Sequence, residues 1–153
     1  MRWFSEGWRL PHFRTSGMLP DLWTVGLLAS RPEPHDGPDG DLVRDRLRGE
    51  RLAAPALIDL EVASVWRGLA RGGHLDARRV GQALDDLRDL PVQRVEHTPL
   101  LGRCWELRDN LTTYDAAYVA LAEALQAALL TGDRRLARAT GPRCSFEVMK
   151  TQA

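Results

Sequence analysis

The segment NLTTYDAAYVALAEALQAALLTGDRRLA, Asn110 to Ala137, decides how the rest of the chain is read. Asp115 opens an apolar helical run, the run gives way to a short strand around QAALLT, and Asp133 follows that strand after Gly132. Helix, buried strand and helix start thus succeed one another within one stretch. Thr112-Thr113-Tyr114-Asp115 fits the Ser/Thr-x-x-Asp/Glu capping pattern, in which an acid in the first turn faces the positive helix end. Asp133 is similarly suited to cap a short helix over DRRLARA. Capping alone accounts for each; a shared site needs them to meet in space.

Outward from this segment, the same alternation recurs. DLVRDRLRG from Asp41 is a short amphipathic helix closed by Gly49, and ERLAAP is a brief extended piece. ALIDLEVASVWRGLARGG places Ile58, Val62, Val65 and Leu69 on one helical stripe, and Gly72-Gly73 stops it. Val80, Ala83, Leu84 and Leu87 mark a further helix, Val92 and Val95 a short strand, and PLLGRCWELRDNL another helix. SFEVM supplies a last strand. Strands alternating with helices of this length predict an α/β fold with a mostly parallel sheet covered by helices. Ligands in such folds bind beyond the carboxyl ends of the strands, where Asp133 falls.

Glu61 lies four residues from both Leu57 and Val65, on or beside the buried stripe of its helix. A carboxylate there requires a partner. Three acids from separate elements aimed at one sheet edge would raise one another's pKa unless a cation compensates them. Oxygen donors without a neighbouring Cys or His suit a hard ion, Mg²⁺ or Mn²⁺, and such a centre suits phosphodiester hydrolysis. Thr131 is placed to orient a water or phosphate oxygen, and Arg134, Arg135 and Arg138 to meet a phosphate near Asp133. Trp66, Trp105, Tyr114 and Tyr118 read as core or interface residues.

The chain has 153 residues, enough for one domain with a real core. Lys+Arg and Asp+Glu both number 21, so net charge alone points to no nucleic acid, and any such binding must be local. Two cysteines make neither a disulfide framework nor a zinc site, and reduced thiols are expected. The sequence holds no signal-peptide core and nothing near the roughly 20 apolar residues of a membrane span, so a cytoplasmic protein is expected. RPEPHDGPDGD, Arg31 to Asp41, is a loop, and its glycines lack the Lys-Ser/Thr of a P-loop. Residues 1–17 read as an atypical extension, with the domain at 18–153.

APALIDLEVASVWRGLARGG and LRDNLTTYDAAYVALAEALQAALLTGDRRLARA together resemble the PIN-domain ribonucleases, specifically the VapC-like toxins of type II toxin–antitoxin pairs. The resemblance covers about residues 41–149. It implies a three-layer α/β/α fold whose parallel sheet gathers four acids around Mg²⁺ or Mn²⁺ to cut RNA. It further implies a cognate VapB-like antitoxin lying across the site, and a homodimer. Glu61 matches the helical acid in DLEVAS, Asp115 the acid in TTYDAAY, Asp133 the acid in LTGDRRL, and Thr131 the Ser/Thr two positions earlier.

The family's first acid ends an opening strand and is followed by a small residue and a small polar one. The nearest equivalent here is MLPDLWTVGLL, with Asp21 as the fourth ligand, although Leu22-Trp23 replace the small pair. Asp36, Asp39 and Asp41 are fallbacks. Either Asp21 serves in a diverged motif, or the segment is not a native first strand and the chain is a catalytically impaired binding or regulatory module. A metal-dependent DNA nuclease of related fold is a third reading.

Overall fold

In this computed structural model the described residues are 22–25, as backbone, and 45–149. Asp21, Asp36, Asp39 and Asp41, the expected boundary between residues 17 and 18, and residues 41–44 of the helix expected from Asp41 lie outside them; residues 45–47 form its one helical turn described.

Among the described residues five strands form one sheet: β1 (Leu22–Val25), β2 (Arg51–Pro55), β3 (Val92–Val95), β4 (Ala128–Thr131) and β5 (Phe146–Val148). Their spatial order is β3-β2-β1-β4-β5 and every pairing is parallel. The expectation of a mostly parallel sheet is met by an entirely parallel one among the described strands. Buried parallel strands carry continuous apolar runs because both faces are covered. Leu52 to Pro55 and Leu129 to Thr131 are buried accordingly.

β1 is central, pairing Trp23 with Leu52 on one side and with Ala128 on the other. The chain steps outward from β1 to β2 and β3, then returns to β4 and β5 on the opposite side of β1. The strand order therefore reverses between β1 and β4. A crevice opens beyond the carboxyl ends of strands at such a switch point, and this is where α/β folds place their ligands.

Helices fill the connections. Between β2 and β3 run α1 (Ile58–Arg71) and α2 (Ala77–Asp89); between β3 and β4 run α3 (Leu101–Glu106) and α4 (Thr113–Leu125). On α1 the buried residues are Ile58, Val62 and Trp66, so Trp66 extends the apolar stripe, while Val65 and Leu69 are half-buried. The Asp76 carboxylate caps α2 by accepting the Arg79 N–H at 2.8 Å. Only Leu87 of α2 is buried, because that helix packs chiefly on α1. α4 packs on β1, β2, β4 and α3, and every residue from Ala116 to Ala122 is buried. Five of those seven residues are alanine or valine, and their small side chains let the helix approach sheet and neighbour at once. Gln126 ends α4 in the left-handed region at φ 53°, and Ala127 N–H donates back to the Ala122 carbonyl at 2.9 Å.

The helix expected over DRRLARA is reduced to one 3-10 turn, Leu136–Arg138. Gly132 and the hydrogen bonds of Asp133 hold the preceding residues in a turn, leaving three residues for the helical piece.

Candidate active site

α1 begins two residues after β2, and its first turn presents Asp59 and Glu61. Acids there face the positive end of the helix. Glu61 is half-buried, and its Oε2 accepts a hydrogen bond from the Tyr118 hydroxyl at 2.5 Å. Tyr118 is 5% exposed. The partner that Glu61 required is thus a tyrosine 57 residues away in sequence.

Asp115 and Tyr118 are three residues apart on α4, which brings them to one face of that helix. Burial pushes the Glu61 carboxyl above its ordinary value, the Tyr118 hydrogen bond opposes that rise, and the charge of Asp115 adds to it. The Tyr118 phenol is pushed well up by burial, by its bond to Glu61, and by the charges of Glu61, Asp115 and Asp59. These three carboxylates therefore converge electrostatically on one hydroxyl. Asp59 carries its own counter-ion: the Arg94 guanidinium reaches it at 3.0 Å from Nη2 and 3.2 Å from Nε. The charge of Asp115 acts on Glu61 in turn.

The capping reading of Asp115 holds as well. Thr112 is the N-cap of α4, and its side chain accepts the Asp115 N–H. Asp115 is therefore both a helix-start residue and a neighbour of Glu61.

Asp133 is placed differently. Its Oδ1 accepts the Arg135 N–H at 2.7 Å, and its own N–H donates to Thr131 Oγ1 at 3.0 Å. Arg135 Nε lies 3.6 Å from the same carboxylate. Thr131, 1% exposed, thus organises the turn that carries Asp133. Among the described residues no three His, Cys, Asp or Glu side chains are close enough to hold one ion. Glu61 feels the charge of Asp115, and Asp133 is held in the turn after β4.

Asp21 lies outside the described residues. Its neighbour Leu22 opens β1 opposite Arg51, at the amino edge of the sheet, three residues or about 10 Å from Val25. The five residues after Val25 are Gly26-Leu27-Leu28-Ala29-Ser30, with no acid among them.

Two participants escape the sequence reading. Tyr118 reads as core, and it is core, but its hydroxyl grips Glu61. Asp59 differs from an ordinary first-turn acid only through Arg94, 35 residues distant. Of the other aromatic residues, Trp66 is buried whereas Trp105 and Tyr114 are 70% and 64% exposed. Arg108 stacks over Trp105 at 4.9 Å.

Known proteins resemble this chain. The family model described as PIN domain matches residues 34–142, a span containing Glu61, Asp115, Thr131 and Asp133 but not Asp21. VapC ribonuclease Mb0985 of Mycobacterium bovis is 44% identical over 106 residues, covering 69% of this chain and 84% of that protein. Ribonuclease VapC1 of Mycobacterium tuberculosis is 39% identical over 115 residues, covering 74% and 86%. In the crystal structure of PAE2754 from Pyrobaculum aerophilum, a chain at 25% identity superposes with a TM-score of 0.60, covering 85% of this chain and 92% of that one. With a parallel sheet that reverses order beside β1, acids at the starts of α1 and α4, and a family match across most of its length, the chain belongs to the PIN-domain family.

Proposed function

We infer that this protein is a metal-dependent endoribonuclease of the VapC type, the toxin of a toxin–antitoxin pair, hydrolysing RNA phosphodiester bonds. The observation that carries this reading is the approach of Glu61 and Asp115 at the first turns of α1 and α4. A half-buried carboxylate whose ionisation is disfavoured by burial and by the charge of Asp115, with oxygen as the donor type, fits a hard divalent cation. Glu61, Asp115 and Asp133 would hold it, with Asp133 joining the pair from the end of β4. Bound Mg²⁺ or Mn²⁺ would supply an activated water and charge stabilisation on the phosphate.

Thr131 positions the backbone of Asp133, and Arg134, Arg135 and Arg138 offer guanidinium groups to an RNA backbone at the same turn. RNA as substrate suits a cytoplasmic protein; no helix among the described residues is long and apolar enough to cross a membrane. A VapB-like antitoxin as inhibitor and a second copy of the chain as dimer partner complete the reading, both on the strength of the family. Asp21 enters as fourth ligand on the resemblance alone.

A second reading, a PIN-like module without catalysis, draws on one specific observation: three metal-binding side chains are not gathered among the described residues. One experiment separates the two. Purified protein free of any antitoxin is incubated with matched RNA and DNA strands, with and without Mg²⁺ or Mn²⁺, beside Glu61→Gln, Asp115→Asn, Asp133→Asn and Asp21→Asn. Metal-dependent cleavage of RNA alone, lost in the first three variants, supports the ribonuclease. Loss in Asp21→Asn adds the fourth ligand, and unchanged cleavage there leaves the site to the other three. A folded wild-type protein that cuts neither strand supports the non-catalytic module.

A further inference from the structure

We propose that Tyr118 is a positioning residue for the candidate metal-binding carboxylates, its hydroxyl engaging Oε2 of Glu61 and so fixing the direction of that carboxylate relative to Asp115 on the same helix as the tyrosine. The inference rests on the metal-dependent reading of the site.

Three features support it. The Glu61 side chain has three rotatable bonds and is only half-buried, so its own helix does not define where the carboxylate points. The Tyr118 ring is buried in the core and belongs to α4, so its hydroxyl is a fixed donor, and it meets a single oxygen of Glu61 at 2.5 Å. The same helix carries Asp115 one turn earlier, where Thr112 holds it at the helix start. One rigid element therefore bears one carboxylate and grips the other. Their separation is set by α4 rather than by the flexibility of Glu61. Partners of this kind, hydrogen-bonded to a ligating carboxylate, commonly change metal affinity by about 10- to 100-fold when removed.

The test is Mn²⁺ binding by calorimetry and electron paramagnetic resonance, with the melting temperature of each metal-free protein, for wild type, Tyr118→Phe and Glu61→Gln. Phenylalanine preserves the ring packing and removes only the hydroxyl. The expected result is that wild type binds Mn²⁺, Glu61→Gln loses it, and folded Tyr118→Phe binds about tenfold more weakly. Wild-type affinity in a folded Tyr118→Phe would overturn the proposal while leaving the metal site standing. Equal Mn²⁺ binding by wild type and Glu61→Gln would instead remove Glu61 from the metal site, and the proposal with it.

A second measurement does not require the Phe variant to fold. The chain has two tyrosines, so Tyr114→Phe leaves Tyr118 as the only phenol. Its ultraviolet resonance Raman signature as a donor to a carboxylate is expected to persist at saturating Mn²⁺, and its disappearance on metal binding would overturn the proposal.

Discussion

Thr112 and Asp115 hold each other at the start of α4: the threonine hydroxyl donates to Asp115 Oδ2 at 2.7 Å and accepts the Asp115 N–H at 3.1 Å. One hydroxyl thereby caps the helix and orients a carboxylate of the candidate site. Thr112→Ala is expected to cost about 1 kcal/mol of stability, with Thr112→Ser retaining most of it. The denaturant midpoint reads the cap. A fall in RNA cleavage under conditions where Thr112→Ala is fully folded would read the lost orientation of Asp115.

Thr131 is buried, and its hydroxyl accepts the Asp133 N–H. Thr131→Val keeps the shape but orphans that donor, which is expected to cost about 1–3 kcal/mol. Thr131→Ser is expected to stay close to wild type. If valine and serine unfold at the same denaturant concentration, the hydroxyl does not hold the turn.

Glu61 should make the metal-free protein more stable in mild acid than at neutral pH. Its native pKa is raised, chiefly by burial, so its contribution is complete below the ordinary carboxylate pKa and is lost as pH rises through the raised value. Glu61→Gln keeps a carbonyl to accept from Tyr118 and never ionises. The variant is expected to melt above metal-free wild type at pH 7, with the gap closing in acid. A gap independent of pH would contradict this account.

Glu147 carries the opposite sign. The Arg46 guanidinium, at 2.7 Å from Nε and 2.9 Å from Nη2, holds its carboxyl below the usual range. The resulting stability is present above the ordinary carboxylate pKa and fades as pH falls through the depressed native value. Because the pair is partly exposed, Glu147→Gln is expected to cost only about 1 kcal/mol at pH 7. Urea titrations at stepped pH should show this difference shrinking toward acid.

Gln126 ends α4 with a positive φ, a conformation that disfavours a side chain. Gln126→Gly is expected to stabilise the protein by up to about 1 kcal/mol without altering the site. Thermal unfolding checks the gain, and a lower melting temperature would show that the side chain contributes more than the backbone strain costs.

The amino-acid sequence by itself determined the features that depend on neighbours within a turn or two. The alternation of helices and strands, the buried run of β4, and the Thr112–Asp115 cap follow from periodicity and from contacts three residues apart. Even the need of Glu61 for a partner was legible, because a carboxylate beside an apolar stripe cannot stay unsatisfied. Which group would satisfy it was not. Tyr118 lies 57 residues away, Arg94 lies 35 from Asp59, and Arg46 lies 101 from Glu147. Only the crossing of the chain over its sheet, in the order β3-β2-β1-β4-β5, brings such groups within hydrogen-bond reach. The DRRLARA segment shows the converse limit: its composition favours a helix, yet the turn tied by Thr131 and Asp133 leaves room for a single 3-10 turn. Propensity acts along the chain, whereas a site is an agreement between distant segments, and packing is what enforces it.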